Sequence, residues 1–164
     1  MASKFKPLLI AIQNKVMTDI PDSAGTPGIR QADPDFGQID IEGVRPAVAF
    51  PWLGIKFVET NYDQLQMRQQ RAKMRIAFRL AFDPFSSASS LAPEDARNKA
   101  LACFDIENKF YTVFQDLKFE YQTGMFYLAT GLRRISAVVE ERKDTLFVLR
   151  LVYEATFVDN SLNE

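Results

Sequence analysis

From Phe147 to Phe157 the chain alternates without a break. Phe147, Leu149, Leu151, Tyr153, Ala155 and Phe157 take one parity, and Val148, Arg150, Val152, Glu154 and Thr156 take the other. A period of two sorts side chains onto opposite faces only along an extended strand. The run read as strand, Leu146 to Val158, is thirteen residues long, more than twice the common strand length of about 5–6. A second alternation lies between Arg68 and Phe82, where Met74, Ile76, Phe78, Leu80 and Phe82 oppose Arg75, Ala77, Arg79 and Ala81. One apolar and one basic face is the pattern of a half-exposed antiparallel strand.

Two other segments repeat at three and four. From Phe5 to Ile20, the residues Phe5, Leu8, Leu9, Ile12, Val16 and Ile20 form one stripe, with Ser3 placed to cap, Pro7 in the first turn and Pro21 as the stop. From Pro93 to about Lys118, Cys103, Ile106, Phe110, Val113 and Leu117 form another, widened by Phe104 and Phe114. Glu94 and Asp95 suit the positive end of that helix's dipole. Pro21 to Gly37 reads as a long surface loop, with Phe36 to Ile41 as an alternative short edge strand. Ala47 to Glu59 reads as a strand interrupted at Pro51, and Asp83 to Pro93 as a Ser/Pro loop. Leu132 to Arg142 and Leu146 to Val158 read as a hairpin joined at Lys143–Asp144. The order of elements predicts an α+β fold: a mainly antiparallel sheet with two helices packed on one face, in a single domain spanning residues 1–164.

The chemistry open to the chain is narrow. There is no histidine, the commonest acid–base group at neutral pH and the commonest transition-metal ligand. One cysteine excludes an intramolecular disulfide and a four-cysteine zinc site. Net charge is −1, so no overall field draws the chain to nucleic acid or an anionic membrane. The apolar run Leu8 to Ile12 is followed at once by Gln13, Asn14 and Lys15, which is unlike a signal peptide, and no window approaches the roughly 18 apolar residues of a membrane span. We expect synthesis and folding in a cytoplasm, no cofactor, no membrane partner and no enzymatic activity. Fourteen phenylalanines suit a dense core or subunit contacts.

Three groups of residues invite a functional reading. Cys103 sits on the apolar stripe of the second helix, where it reads as a small buried hydrophobe. Asp33, Asp35, Asp40 and Glu42 crowd one region, but Gly37 falls where a calcium loop would place a ligand and no closing glutamate follows, so a solvated acidic loop is expected. The glycines Gly25, Gly28 and Gly37 do not form a phosphate-binding loop. Arg68, Arg71, Lys73, Arg75 and Arg79 form a basic run with no acidic residue between Gln64 and Phe82. It reads either as a solvated strand face or as a contact with an acidic partner, including another copy of the chain. On the second reading, reversing both Arg75 and Arg79 to glutamate should leave the fold intact and block assembly. Val148, Arg150 and Val152 join the candidate contacts, because Leu146, Val148 and Val152 place apolar side chains on the face away from the helices.

The order and content of these elements resemble the tail terminator (tail completion) proteins of long-tailed phages, in the versions carried by phages and prophages of gut Bacteroidetes. The likeness rests on three passages: the helix opening Phe5-Lys6-Pro7-Leu8-Leu9-Ile10-Ala11-Ile12; the strand entry Arg45-Pro46-Ala47-Val48-Ala49-Phe50-Pro51 before the Arg75 to Phe82 alternation; and the Ala100 to Leu117 helix followed by a strand ending near Phe157. It covers most of the chain, which departs from shorter members in its Pro21 to Gly37 loop. The resemblance implies a structural virion protein that forms a homo-oligomeric ring, commonly a hexamer, at the head-proximal end of a tail. Such a ring stops tube growth and touches the tail tube protein and a neck or connector protein, and DNA passes through it without specific binding. Alternatives are a head-completion or neck connector protein docking on the portal and, from another class, a small metal-dependent α+β binding or enzyme domain.

Overall fold

A computed structural model describes residues 5–22, 24–41, 47–66, 69–83, 89–119 and 126–159. Ser3, Glu42, Arg45, Pro46 and Arg68, all named above, lie outside the described residues. The described residues form an α+β domain with two helices and a six-stranded sheet.

Helix α1, Phe5–Asp19, buries Leu8, Ile12 and Val16, one residue per turn of a single face. Helix α2, Glu94–Phe114, buries Cys103, Ile106, Phe110 and Phe114. It begins after Pro93 with acidic Glu94 and Asp95 in its first turn, and stops about a turn short of Lys118. The cause of the stop is local. Gln115 turns extended, its N–H still bonded to the Tyr111 carbonyl, and Asp116 adopts a positive φ of 60°. Asp116 N–H then donates to Leu132 O at 2.7 Å, and Leu132 N–H to Leu117 O at 2.9 Å, which ties the helix end to the sheet. A side chain at Gly131 would collide with the Asp116 carbonyl, so only glycine permits this approach.

The strands are β1 (Gln31–Pro34), β2 (Trp52–Gln66), β3 (Gln69–Phe82), β4 (Phe126–Leu128), β5 (Arg133–Val139) and β6 (Phe147–Asp159). The order across the sheet is β1-β2-β3-β6, and β4 and β5 then lie in tandem along the far edge of β6. All pairs are antiparallel except β1 with β2. Between β4 and β5 the chain steps away from the ladder while Ala129 and Thr130 both donate to Thr156 O.

Both helices cover one face. There Leu53, Ile55, Met74, Ile76, Phe78, Leu80, Leu149, Leu151, Tyr153 and Phe157 meet the buried stripes of α1 and α2 in one core. Its centre is aromatic: Phe110 stacks on Phe114 at 4.3 Å, and Phe78 meets Phe110, Phe114 and Tyr153 at 5.1–5.5 Å. Fourteen phenylalanines therefore serve this core at least in part.

Several boundaries differ from the sequence reading. The long loop contains β1, and residues 36–41 form no strand; Ile29, inside that loop, is fully buried. The strand expected from Ala47 starts only at Trp52, after the cis Phe50–Pro51 bond, and then runs on to Gln66. Pro51 thus precedes the strand rather than interrupting it, in keeping with its lack of an N–H to donate. The C-terminal pair is real, but residues 140–146 join it rather than a tight turn at Lys143–Asp144.

Candidate assembly interface

The sheet face away from the helices carries every described member of the predicted basic run. Along β3 the residues Arg71, Lys73, Arg75 and Arg79 share this face, and cross-strand register brings Arg150 beside Arg79, and Glu154 beside Arg75. The pairing with β5 adds Arg133 next to Glu154.

Most of these cations are already engaged within the chain. Arg79 meets three carboxylates: Asp40 at 2.8 Å through both terminal nitrogens, Glu140 at 2.6 and 2.9 Å, and Asp35 at 3.4 Å. Its side chain is only 13% exposed. Arg142 extends the cluster to Asp40, to Asp144 and to the Ile39 carbonyl. Arg79, and then Arg142, hold the Asp40 carboxyl well below the usual carboxylate range. Lys73 and Arg75 share Glu154, lowering its pKa, and Arg75 also reaches Glu59 at 3.1 Å. Arg71, Arg133 and Arg150 have no ion pair among the described residues.

The acidic region is therefore not a solvated loop. Asp33 accepts hydrogen bonds from Gln31 Nε2 and Trp52 Nε1, and Asp35 and Asp40 fold back onto Arg79. These bonds fasten residues 35–41 over the sheet and close a second, smaller core of Ile39, Trp52, Ala81 and Val148, flanked by Val48, Phe50 and Leu146. This corrects the reading of Val148 as an interface residue: it is fully buried by the chain's own loop, and Leu146 packs there too. Val152 is half-buried and Arg150 exposed. The expectation that Arg75 and Arg79 can be reversed together without structural cost is revised for the same reason, since Arg79 anchors three acidic groups. Periodicity put Arg79 on the correct face. It carries no information about which distant loop returns to meet it.

Cys103 is buried, and burial pushes its thiol up, away from the reactive thiolate. The Tyr153 hydroxyl is buried with no hydrogen-bond partner among the described residues, and burial raises its pKa. Among the described residues no group of three or more Cys, Asp or Glu side chains is placed to hold a metal ion.

Exposed apolar side chains such as Leu91, Phe36, Ile41 and Phe104 lie on loops and helices, and a further set stands at the two sides of the sheet. On β5 they are Ile135, Val138 and Val139; on β2 they are Val58, Tyr62 and Leu65. Nearly all of β5 is exposed, and among the described residues it pairs with β6 alone. At the opposite side β1 covers β2 only from Trp52 to Ile55, so from Lys56 onward that edge has no strand beside it among the described residues. A cleft of about 730 Å³ opens where β1 ends, lined by Phe5, Lys6, Leu9, Phe36, Lys56 and Phe57 among others. Sequence periodicity missed both edges, because it reports which face a residue takes and not which strand ends the sheet.

The chain matches no protein-family model and no curated protein.

Proposed function

We propose that this chain is a structural subunit that closes head-to-tail into a ring of identical copies, serving in a virus particle as the terminator of a phage tail. One observation carries the self-assembly: two sheet edges on opposite sides of one sheet, unpaired among the described residues over most of β5 and from Lys56 onward in β2, each bearing exposed apolar side chains. Open edges are a liability that soluble monomers usually cover or charge. Edges on opposite sides favour a heterologous contact, which makes a ring when its rotation closes. The tail setting comes from the sequence resemblance, which implies tail tube protein on one side of the ring and a neck or connector protein on the other. In this reading the work is done by shape and contact area. Among the described residues no helix is long and apolar enough to cross a membrane. Negative-stain images of the purified protein, alone and mixed with tail tube subunits, test the proposal. Uniform annular particles with a central channel are expected; open filaments or isolated globules in both samples would contradict it.

A further inference from the structure

We infer that the contact between copies is edge to edge: β5 of one copy lies antiparallel along residues 56–66 of β2 in the next, with the segment after β5 seated in the cleft beside α1. This rests on the ring reading above and specifies which edge meets which.

Direction comes first. β2 is antiparallel to β3, β3 to β6 and β6 to β5, so β2 and β5 run in opposite senses in one chain. Rotation about an axis along the strands preserves those senses, so β5 meets the next copy's β2 antiparallel. The seven residues of β5 fit the stretch from Lys56 to Gln66, which has no strand on its outer side among the described residues.

Charge order selects the same pairing. Along β5 and just past it come Arg133, the apolar Ile135, Val138 and Val139, then Glu141. Along β2 in the opposite sense come Asp63, Tyr62 and Val58, then Lys56. Antiparallel seating sets Arg133 beside Asp63, and Glu141 beside Lys56 and Lys6. Arg133, Glu141, Asp63 and Lys56 each have no ion pair within the chain among the described residues. Pairing β2 with itself about Asn61 would instead oppose Glu59 to Asp63, a destabilising like-charge pair. The cleft offers apolar walls from Phe5, Leu9, Phe36 and Phe57 for Val138 and Val139 and two lysines for Glu141, while its own carboxylates, Asp35 and Asp40, are already paired with Arg79.

Both edges are irregular, at Val58 and Leu65 in β2 and at Ile135 in β5. Bulges of this kind break a regular ladder. Here each leaves an apolar side chain exposed, so at those points the contact is made by side chains rather than backbone. A two-fold β5–β5 contact also matches Arg133 with Glu141, but it gives a dimer and leaves Val58, Tyr62 and Leu65 of β2 uncovered.

The test uses full-length protein carrying Cys103→Ala, with Val58→Cys and Val138→Cys made separately. The two are mixed, allowed to assemble and treated with a short bismaleimide. Covalent dimer in the mixture, at least tenfold above either variant alone, is the expected result. Cross-linking of the Val138→Cys variant with itself would establish the two-fold β5 contact and overturn the inference. Absence of cross-linking in material that sediments as an oligomer would overturn it while leaving the ring intact; material that stays monomeric at every concentration removes the ring reading and this inference with it. A charge swap needs no cysteine background. Arg133→Glu should raise the concentration needed for assembly at least tenfold, and adding Asp63→Arg should restore it. Failure of the second change to restore assembly would contradict the pairing.

Discussion

Arg79 sits where three distant segments meet: β3 supplies the guanidinium, the loop after β1 supplies Asp35 and Asp40, and the end of β5 supplies Glu140. Arg75, four residues away on the same face, is itself nearly half exposed, as is its partner Glu59, although its other partner Glu154 is largely covered. The two arginines look equivalent in the sequence, yet their substitution should differ sharply. Reversing Arg75 removes surface pairs worth roughly 0–1 kcal/mol. Reversing Arg79 leaves three carboxylates facing a fourth, and should cost about 3 kcal/mol, the low end for breaking a buried pair because Asp40 stays partly wet. Urea denaturation of Arg75→Glu and Arg79→Glu checks this; equal losses would mean the cluster carries no structural load. The same site gives a pH dependence. Arg79 and Arg142 depress the folded-state pKa of Asp40, so its contribution to stability is present above the unfolded value of about 3.9 and is lost as pH falls below it. Asp40→Asn should therefore lose stability at pH 7 and show a shallower loss than the parent between pH 5 and pH 2. What hid this cluster from sequence reasoning is distance along the chain: Asp40 and Glu140 lie 39 and 61 residues from Arg79.

At the scale of elements, α2 is the clearest case of a sequence pattern deciding its own packing. Stepping by three and four put Cys103, Ile106 and Phe110 on one stripe, and that stripe is buried. Phe110 is fully buried, stacked on Phe114 and edge-on to Phe78, so Phe110→Ala should cost about 3–5 kcal/mol. Thermal or urea unfolding that registers under about 1 kcal/mol would show that the aromatic centre collapses around the gap. Long alternations were equally legible, and β3 and β6 fall within a residue or so of the expected spans. The short elements were not. β1 is Gln-Ala-Asp-Pro, four half-buried residues with no apolar alternation, and it exists because its backbone adds in parallel to β2. β4 is three residues extending the β6 ladder past the Thr130 step. Such strands are made by their neighbours rather than by their own side chains. The same limit explains Val148: alternation correctly set it opposite Leu149, but the side chains that cover it, Ile39, Val48, Phe50 and Trp52, come from a distant part of the sequence.

For the whole molecule, a sheet covered by helices on one face and by a short pinned loop on part of the other has little left to bury except at its sides. The loop core of Ile39, Trp52, Ala81 and Val148 seals only one end of the second face. Beyond it, the described part of that face is mostly polar, and exposed apolar side chains stand along both edges. A single head-to-tail contact satisfies both at once, and repetition around an axis closes the set. Mass in solution tests this central claim most directly. Sedimentation equilibrium over a wide concentration range should find a species of about 112 kDa, the mass of six 18.7 kDa chains, in equilibrium with monomer. Monomer alone at every concentration, with and without added tail tube protein, would contradict it.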